Sequence, residues 1–525
     1  MRIEFTPPAG NALPALRAAV AELRKHPGST LFLPPGDYLL DDPAARNIQR
    51  DVMAGKYGRI PSRELFRPGS PFVSALDFTG CRDATVEAHG ANFRIDGFME
   101  VLSVQHCSGV TIKGLSIDYL RKPYSRGVVV SDSADFLEVK VSGQTMISAE
   151  LPISRMALIR RGRYDRTWEC PPHEYSGDGI FRFPAGLTGC RGEEIVFIHM
   201  FHYRPAILVY EAENTLLEDV TIFSQPGMGV VGHRSADTVM RRLRVVPAPG
   251  EPVSSNTDAT HFASCRGLLR YEACWFEGQT DDSANVHTYY HRIVRTDGRK
   301  LETACRHTIH SLYPDYPDVG DTVELSDAAS LELRGTHTVL SREWDEARRV
   351  AILELDPPLP ENAEGMLLAD VTQLPRLEFL GCVCRNHMAR GILVRTRSAR
   401  IEDCLFDGTV LPAIHIAAEV TWDEAAACRD VTVRRNRVVR CGTPGCFHDT
   451  GGVVVDLAAE RDGLALHRDI VIEENVFDCR DLKHAVYAAN TDGLRIAGNR
   501  MCSQEEPVVV APTCLHVQSQ AGGRK

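Results

Sequence analysis

The sequence predicts an all-β protein built as a parallel β-helix, and three observations support this fold class. Strands of about three to five residues recur roughly every 20 to 30 residues along the chain. Within each strand apolar and polar side chains alternate, as in 430–436 and 469–475. Helical patterns of about 10 to 15 residues between the strands, which a doubly wound α/β domain needs, are missing. Each unit is too small to bury its own apolar face, so successive coils must stack as a solenoid.

The pattern divides the chain into five segments. The first begins with an amphipathic helix from Pro14 to Lys25. Leu16, Val20 and Leu23 share one face of this helix, and we expect it to cap the open end of the solenoid. The predicted segments are the cap and first coils (1–118), an inserted β-barrel (119–193), the central coils (194–290), a second inserted β-barrel (291–374) and the C-terminal coils (375–525).

Two stretches interrupt the short-strand rhythm and are predicted to be small antiparallel β-barrel domains. They carry longer alternating strands, at 127–130 with 136–141 and at 321–325 with 350–355. Gly, Asp and Pro turns separate these strands, as is typical of such modules. The second stretch follows Asp281 and Asp282 closely, so we expect it to form a wall beside them.

Asparagines and cysteines recur at fixed places in the repeat. Asn436, Asn475 and Asn499 are predicted to occupy turn positions that tolerate left-handed backbone, and to stack as a side-chain ladder. Most of the 16 cysteines fall just before or within a strand. Free cysteine behaves as a small buried hydrophobe, so we predict inward-facing thiols rather than a disulfide framework or a zinc site.

The composition limits the class of partner. Asp and Glu number 70 against 59 Lys and Arg, which gives a net charge of -11. Nucleic acid and anionic membranes attract basic surfaces, so neither is predicted as a partner. No apolar run reaches the roughly 20 residues of a membrane span, and the residues from Met1 to Pro8 lack the apolar core of a signal peptide. Localisation and assembly into a homo-oligomer stay open.

Three aspartates are the candidates for catalysis. Asp258 lies in Asn256-Thr257-Asp258, and Asp281 with Asp282 follows one repeat later, 23 residues on. We expect Asp258 to lie about one strand spacing, roughly 4.8 Å, from the pair. Carboxylates this close cannot all ionise cheaply, so at least one pKa should rise. Neighbouring strand residues point to opposite faces, so the strand must end or bulge between Asp281 and Asp282 if both are to reach one surface.

Two carboxyl groups are the machinery of glycoside hydrolysis. One protonates the leaving oxygen, while the other acts as nucleophile at about 5 to 5.5 Å or as base for a water at about 6.5 to 9.5 Å. A cluster across two coils is expected to supply the wider spacing. A lone Asp in a turn more often caps backbone groups, so the hypothesis rests on the cluster and not on one residue.

Further side chains are predicted to bind substrate. Trp422 is a candidate sugar platform, with Glu419 and Glu424 accepting hydroxyl protons, although a core Trp with surface acids fits the sequence equally well. Arg390 and Arg395 flank a strand and are candidates to line the groove, with a structural role as the favoured alternative. The predicted substrate-binding set is His233, His261, Asn285, His287, Arg390, Arg395, Glu419, Trp422 and Glu424.

The chain resembles glycoside hydrolase family 110 along most of its length. The resemblance is carried by Asn256-Thr257-Asp258, by Gln279-Thr280-Asp281-Asp282 with Asn285 and His287, and by the two insertions. It implies a right-handed, pectin-lyase-like parallel β-helix and an inverting exo-glycosidase that removes terminal α-1,3-linked galactose from blood group B or linear α-galactose caps. It also implies that Asp281 is the general acid and that Asp258 and Asp282 hold and activate the water. No cofactor and no metal are expected. The family is usually exported.

Other functions stay open. Family 28 polygalacturonases also place Asn-Thr-Asp one coil before Asp-Asp, but their later Gly-His-Gly and Arg-Ile-Lys are missing here, and Gly232-His233 precedes the pair. An acidic protein is also expected to bind polygalacturonate poorly. A non-catalytic glycan-binding β-helix would use its aspartate oxygens on backbone amides. In a calcium-dependent polysaccharide lyase the same acids would hold a metal ion.

Overall fold

Three long parallel sheets run through the molecule and pack on one apolar core. The structure is a computed structural model that describes residues 1–520 apart from positions 142, 144–145, 185–186, 298, 306–312, 462 and 504. Positions 521–525 of the last predicted segment therefore lie outside the described residues. The prediction of an all-β, parallel β-helix protein is confirmed. Among the described residues, no helix is long and apolar enough to cross a membrane.

Each sheet takes one short strand from almost every coil. The first sheet contains Arg2–Glu4, Thr30–Phe32, Thr85–Glu87, Thr111–Lys113, Glu213–Glu218, Ala236–Arg241, Arg266–Glu272, Arg376–Leu380, Arg397–Glu402, Arg429–Arg434, His467–Glu473, Thr491–Ala497 and Leu515–Ser519. The second contains Gly36–Asp41, Ala91–Asp96, Ser116–Tyr119, Thr221–Ile222, Arg244–Val245, Trp275–Glu277, Val383–His387, Leu405–Thr409, Arg437–Val439, Val476–Asp478 and Arg500–Cys502. The third contains Ser74–Asp77, Glu100–Gln105, Ile207–Tyr210, Val230–His233, Thr260–Ala263, Ala284–Asp297, Ile392–Val394, Ile414–Ile416, Thr450–Val455, His484–Ala488 and Val508–Val510.

The parallel sheets continue across both insertions. Thr111 pairs with Leu216, which lies beyond the first insertion, and Asn285 pairs with Leu393, which lies beyond the second. Each insertion therefore leaves the solenoid between two consecutive coils and returns to it without breaking the stack. This arrangement lets a long insertion lie beside the coils without disturbing the core.

The described residues of the first insertion form an antiparallel sheet of seven strands. In sheet order they are Arg163–Glu169, Arg155–Arg160, Glu194–Ile198, Tyr124–Asp132, Leu137–Val141, Ile180–Phe183 and Glu174–Gly177. Among the described residues, the first and last of these strands do not pair with each other. The sheet is thus open, and the predicted closure of this segment into a barrel is not confirmed.

The second insertion is a closed ring with its own small core. The outer end of Ala284–Asp297 pairs with Lys300–Ala304, and the ring continues through Val350–Asp356, Leu333–Asp345, Thr322–Ser326 and Leu367–Asp370 back to Ala284–Asp297. Its interior is apolar and includes Ile293, Val323 and Leu353, all almost fully buried. The strand Ala284–Asp297 therefore belongs to the β-helix at one end and to the insertion at the other.

The asparagine ladder forms as predicted, but the left-handed residues are its neighbours. Asn436 Nδ2 donates to Asn475 Oδ1, and Asn475 Nδ2 donates to Asn499 Oδ1, both at 3.0 Å. The positive φ angles belong to the preceding residues, +53° at Arg435 and +58° at Glu474. The turn residue before each asparagine therefore absorbs the reversal, and the asparagine side chain faces inward to bond the next coil. The cysteines are all free and mostly buried, as predicted.

In the part of the chain that the structure describes, helices are confined to the first coils and one turn in the C-terminal coils. The predicted cap is present as Leu13–Lys25, with Leu13, Leu16, Val20 and Leu23 buried. A second helix, Pro43–Met53, was not predicted. Asp42 caps it by accepting from the Ala44 N–H, and the proline lies in its first turn, so its start signal was present in the sequence. The remaining helical turns are Ser62–Leu65 and the 3-10 turn Phe447–Asp449.

Candidate active site

The three aspartates lie in the turns that lead into two neighbouring strands of the third sheet. Thr260 pairs with Ala284, so the register places Asp258 beside Asp282, 24 residues away, and not beside Asp281. The Ala259 N–H donates to the Asp282 carbonyl at 2.9 Å. The strand begins at Ala284, after both aspartates, so the predicted irregularity between Asp281 and Asp282 takes the form of a turn.

The three carboxylates form one compact cluster. One oxygen of each lies within 4.8 Å of the others. The Asp282 N–H donates to Asp258 Oδ1 at 3.1 Å and fixes the two turns together. The nearest carboxylate oxygens are closer together than the 6.5 to 9.5 Å that we expected between the acid and the base. The structure therefore does not show the wider spacing.

Burial and mutual repulsion set the protonation of the cluster. Burial raises the pKa of Asp258 well above its usual range, and the charges of Asp281, Asp282 and Glu424 raise it further. Burial likewise raises the pKa of Asp281 to about 6, where Arg155 opposes the rise and Asp282 adds to it. The cluster therefore holds at least one proton near neutral pH, as the sequence predicted.

Asp282 is held by a single arginine. The Arg390 N–H and Nε both donate to Asp282 Oδ1, at 2.8 and 3.0 Å. Burial works against the charge on Arg390, but Asp282 and Asp281 raise its pKa above the usual range. Oδ1 is therefore fully used by Arg390. Among the described residues, no hydrogen bond is made to the other oxygen, Oδ2 of Asp282.

Asp281 is the member of the cluster that reaches the surface. Its side chain is 25% exposed, whereas Asp258 and Asp282 are buried. Arg155 Nη1 lies 3.9 Å from Asp281 Oδ2, and the Arg155 guanidinium stacks on Phe201 at 3.8 Å from the ring centre. In the described part of the chain the Asp281 carboxylate makes no hydrogen bond. It is thus available to a ligand.

A second buried charge cluster lies beside the aspartates. Arg395 is fully buried and forms ion pairs with Glu419, at 3.3 Å, and with Glu424. Asn285 bridges the pair, since its Oδ1 accepts from Arg395 Nη1 and its Nδ2 donates to Glu424, each at 3.3 Å. Burial would raise the pKa of Glu424, but Arg395, His287 and Arg390 together lower it below the usual range. Glu424 is therefore a fixed negative charge.

Two histidines connect Asp258 to the interior. His261 Nδ1 lies 2.6 Å from Asp258 Oδ2, and its Nε2 lies 2.8 Å from His287 Nε2. Two nitrogens on a tetrahedral zinc ion would be about 3.3 Å apart, given Zn–N bonds of about 2.05 Å. The shorter distance indicates a hydrogen bond, so we do not assign His261, His287 and Glu424 as a metal site although they lie close together.

The aspartates open into a cavity of about 530 Å³, a size that suits a small ligand. It is lined by Ile60, Ser62, Arg63, Ser154, Arg155, Glu169, Cys170, Phe201, His202, Met228, Asp258, His261, Asp281, Asp282, Asn285, Arg390, Leu393, Glu419, Trp422 and Glu424. The structure thus brings together the three aspartates and six of the predicted binding residues, His261, Asn285, Arg390, Glu419, Trp422 and Glu424. Trp422 is 49% exposed and is not a core residue.

Three predicted binding residues do not line the cavity. His287 and Arg395 lie behind it, where they contact residues that do. His233 is buried elsewhere and pairs with Asp315 at 2.6 Å, and His291 approaches the same carboxylate at 3.3 Å. His233 is therefore placed to join the solenoid to the second insertion.

Several lining residues had no signal in the sequence. Arg155, Glu169 and Phe201 come from the first insertion or the chain just after it, and no motif marks them. Their contribution depends on how the insertion lies on the solenoid, which repeat spacing does not encode. The second insertion was predicted to form a wall of the site, but in the described residues the lining comes from the first.

Comparisons with known proteins place the chain among one group of relatives. It is 26% identical to Alpha-1,3-galactosidase B of Akkermansia muciniphila, over 94% of this chain and 64% of that protein. It is 25% identical to Alpha-1,3-galactosidase B of Bacteroides thetaiotaomicron and 26% identical to Alpha-1,3-galactosidase A of Bacteroides fragilis, over 94% of this chain and 83% and 85% of theirs. The chain thus spans less than two thirds of the Akkermansia muciniphila relative. No family model matches the chain.

Two solved structures match the chain at low similarity. A mannuronan C-5 epimerase module of Azotobacter vinelandii matches at 9% identity and a TM-score of 0.44, over 98% of this chain and 97% of that one. A tailspike protein of E. coli bacteriophage HK620 matches at 9% identity and a TM-score of 0.47, over 98% and 64%. Likeness at this level does not bear on activity. The sequence relationship along nearly the whole chain confirms the resemblance: the chain is similar to curated α-1,3-galactosidases, as the likeness to glycoside hydrolase family 110 implied.

Proposed function

We propose that the protein is an exo-acting glycoside hydrolase that removes terminal α-1,3-linked galactose from glycans with inversion at the anomeric carbon. One observation carries the proposal. At the cavity wall, a partly exposed carboxyl group, Asp281, with a pKa raised to about 6 by burial, stands beside two buried carboxyl groups. A carboxylic acid that stays partly protonated near neutral pH is what leaving-group protonation requires. The names of the relatives supply the sugar and the linkage.

Asp281 is the proposed general acid. Its carboxyl group reaches the cavity and carries no competing hydrogen bond among the described residues. In the reaction its proton passes to the glycosidic oxygen as the bond from that oxygen to the anomeric carbon breaks. The electron pair of the bond stays with the oxygen, which leaves as the hydroxyl of the remaining glycan.

Asp258 and Asp282 are proposed to hold and activate the water. The water oxygen attacks the anomeric carbon from the face opposite the leaving group, and one of its protons passes to a carboxylate. The free Oδ2 of Asp282 is available for that proton, while Arg390 fixes the rest of the side chain. The proton gained here and the proton lost by Asp281 balance, so a proton exchange with solvent restores the resting enzyme.

The remaining lining groups are suited to a neutral sugar. Trp422 presents an exposed ring on which the apolar face of a galactose can stack. Glu419 and Glu424 are held by Arg395 and can accept hydrogen bonds from the hydroxyl groups of the same sugar.

We also propose that the five sequence segments act as two kinds of unit. The coils carry the acids, and the insertions limit access, the first through Arg155 and Glu169.

The proposed reaction predicts the first anomer to be formed. Incubation with Galα1-3Gal and with the blood group B trisaccharide should release galactose that appears first as the β-anomer, because the water attacks opposite the α-linked leaving group. Proton NMR in the first minutes, before mutarotation, measures the anomer directly. A Galα1-4Gal disaccharide is the matched control and should stay intact. Release of α-galactose would show retention and contradict the proposed direct attack by an activated water.

Arg155 should set the alkaline limit of activity. Its positive charge lowers the pKa of Asp281, so Arg155→Met should raise that pKa. Because the acid must be protonated to act, the alkaline limb of kcat/KM should move to higher pH, by about one unit. The pH–rate profile of the variant measures the shift. Arg160→Met, on the same strand but paired with Asp165, is the matched control and should leave the limb in place.

A further inference from the structure

We infer that Asp258 shares a single proton with His261, that His287 fixes this arrangement, and that Asp282 alone is therefore free to accept the proton of the attacking water. The inference rests on the proposed function for its catalytic meaning. The proton positions themselves follow from the hydrogen-bond geometry of the three side chains.

His287 is a neutral ring with its hydrogen on Nδ1. Its Nδ1 lies 2.8 Å from the carbonyl oxygen of Thr288, which only accepts hydrogen bonds. Nδ1 must therefore carry a hydrogen and donate it. Burial lowers the pKa of His287, which favours the neutral ring. A neutral ring with its hydrogen on Nδ1 has a lone pair on Nε2, so this nitrogen is an acceptor.

His261 carries a hydrogen on Nε2. Its Nε2 lies 2.8 Å from the Nε2 of His287. Two lone pairs at that distance would repel, so His261 Nε2 must carry a hydrogen and donate it. The other nitrogen of His261, Nδ1, then faces Asp258 Oδ2 at 2.6 Å. This contact needs one hydrogen between the two atoms. Either Asp258 is protonated and donates to a neutral ring, or the ring is an imidazolium and donates to a carboxylate.

Both descriptions place the same proton between Asp258 and His261. The charges that face the pair favour keeping it there. Asp281, Asp282 and Glu424 all disfavour a further negative charge on Asp258. Arg395 faces the histidine end and is already paired with Glu424. The proton therefore stays with the pair through neutral pH, because its loss would add a negative charge beside Asp281, Asp282 and Glu424.

This proton removes Asp258 from the role of base. Its Oδ2 is engaged with His261, and its Oδ1 accepts the Asp282 N–H at 3.1 Å. Asp282 uses Oδ1 for Arg390 and leaves Oδ2 for a water. The proton of the water thus passes to Asp282 Oδ2 as the oxygen bonds to the anomeric carbon. Asp258 is a positioning residue that holds the Asp282 turn, and His261 and His287 keep its proton in place.

Nitrogen NMR tests the proton positions directly. The protein is prepared with ¹⁵N-labelled histidine, and the His261 and His287 signals are assigned from the His261→Gln and His287→Gln variants. At pH 7 we expect His287 with hydrogen on Nδ1 only, and His261 with hydrogen on Nε2 and a further, shared hydrogen at Nδ1. A His261 ring protonated on Nδ1 and bare on Nε2 would overturn the inference. Bound zinc at one equivalent, with both Nε2 atoms unprotonated, would also overturn it.

The pH dependence of activity gives a second readout that a merely structural role would not move. His287→Gln offers an amide oxygen in place of the acceptor nitrogen, so the alkaline limb should stay where it is. His287→Leu offers no acceptor. His261 is then free to carry its hydrogen on Nδ1, the shared proton leaves, and Asp258 becomes a carboxylate that raises the pKa of Asp281, so the alkaline limb should move to higher pH by about one unit. An alkaline limb at the same pH in His287→Gln and His287→Leu would contradict the inference.

The two experiments separate the failure of the inference from that of the proposed function. The NMR measurement reads the tautomers of the resting protein and needs no substrate. If the predicted tautomers are found but galactose is not released, the proton arrangement stands and the proposed reaction fails. If galactose is released but His261 is bare on Nε2, the reaction stands and the assignment of Asp258 fails.

Discussion

Replacing Asp281 by asparagine should lower kcat/KM on an α-1,3-linked galactose disaccharide by about 10²- to 10⁴-fold, the range that a general acid contributes. Asparagine keeps the shape of the side chain but has no proton to give to the glycosidic oxygen. The loss should depend on the leaving group. With a nitrophenyl galactoside, whose phenolate leaves without protonation, the variant should lose much less. Steady-state kinetics on the two substrates measure both effects.

The control for this variant is Asp165→Asn. Asp165 lies on the same first insertion as Arg155 but pairs with Arg160 away from the cavity, so this change should leave both rates within a factor of about two. If Asp281→Asn reduced both substrates equally, protonation of the leaving group would not be the step that it controls. The general acid would then have to be sought among Asp258 and Asp282.

The pH dependence of activity tests the same assignment of Asp281 as the general acid. A pKa of about 6 for Asp281 means that the acid form is lost as the pH rises through that value. The wild-type rate on the disaccharide should therefore fall on the alkaline side of about pH 6, and Asp281→Asn should lack this limb. The nitrophenyl substrate should show the limb weakly or not at all, because it does not need the proton.

The sequence predicted the coils because every coil repeats the same local pattern. Alternating apolar residues at a steady spacing fix which faces are buried, and the structure confirms the parallel sheets that follow from this. The position of the aspartates on neighbouring coils follows from the same period. The register of the turns did not follow. The sequence predicted Asp258 about one strand spacing from the Asp281–Asp282 pair, and the strand pairing of Thr260 with Ala284 shows that Asp282 is its neighbour in register.

What the sequence did not predict depends on contacts between distant segments. Arg155 reaches Asp281 because an insertion of about 75 residues, 119–193, folds back over the coils. Arg395 and Glu424 were both chosen as candidates, but their pairing inside the protein was not. The same holds for the contact between His261 and His287, since no spacing rule aligns two Nε2 atoms from neighbouring coils. Burial and distance in the folded protein identify such groups.

Arg395→Met should lower the free energy of unfolding by about 3 to 5 kcal/mol, which is the usual cost of removing one partner from a buried ion pair. Arg395 is fully buried between Glu419 and Glu424, so its loss leaves two carboxylates with little solvent near them. Chemical denaturation followed by circular dichroism measures the change. The matched control is Arg400→Met, which removes an exposed partner of Glu402 and should cost about 0 to 1 kcal/mol.

The pH dependence separates lost charge pairing from lost packing. In the wild type the pKa of Glu424 is lowered in the folded state, so its contribution to stability is present above the unfolded pKa and is lost as the pH falls through the folded one. Without Arg395, burial should raise the pKa of Glu424, and the folded variant should then bind a proton more readily than the unfolded chain. The difference in stability should therefore shrink between about pH 7 and pH 5, and Arg395→Met with Glu424→Gln should recover part of it at pH 7. The difference in unfolding free energy could instead stay constant with pH and not be recovered by Glu424→Gln. That result would mean that Arg395 acts by packing, and that another group keeps Glu424 charged at the cavity.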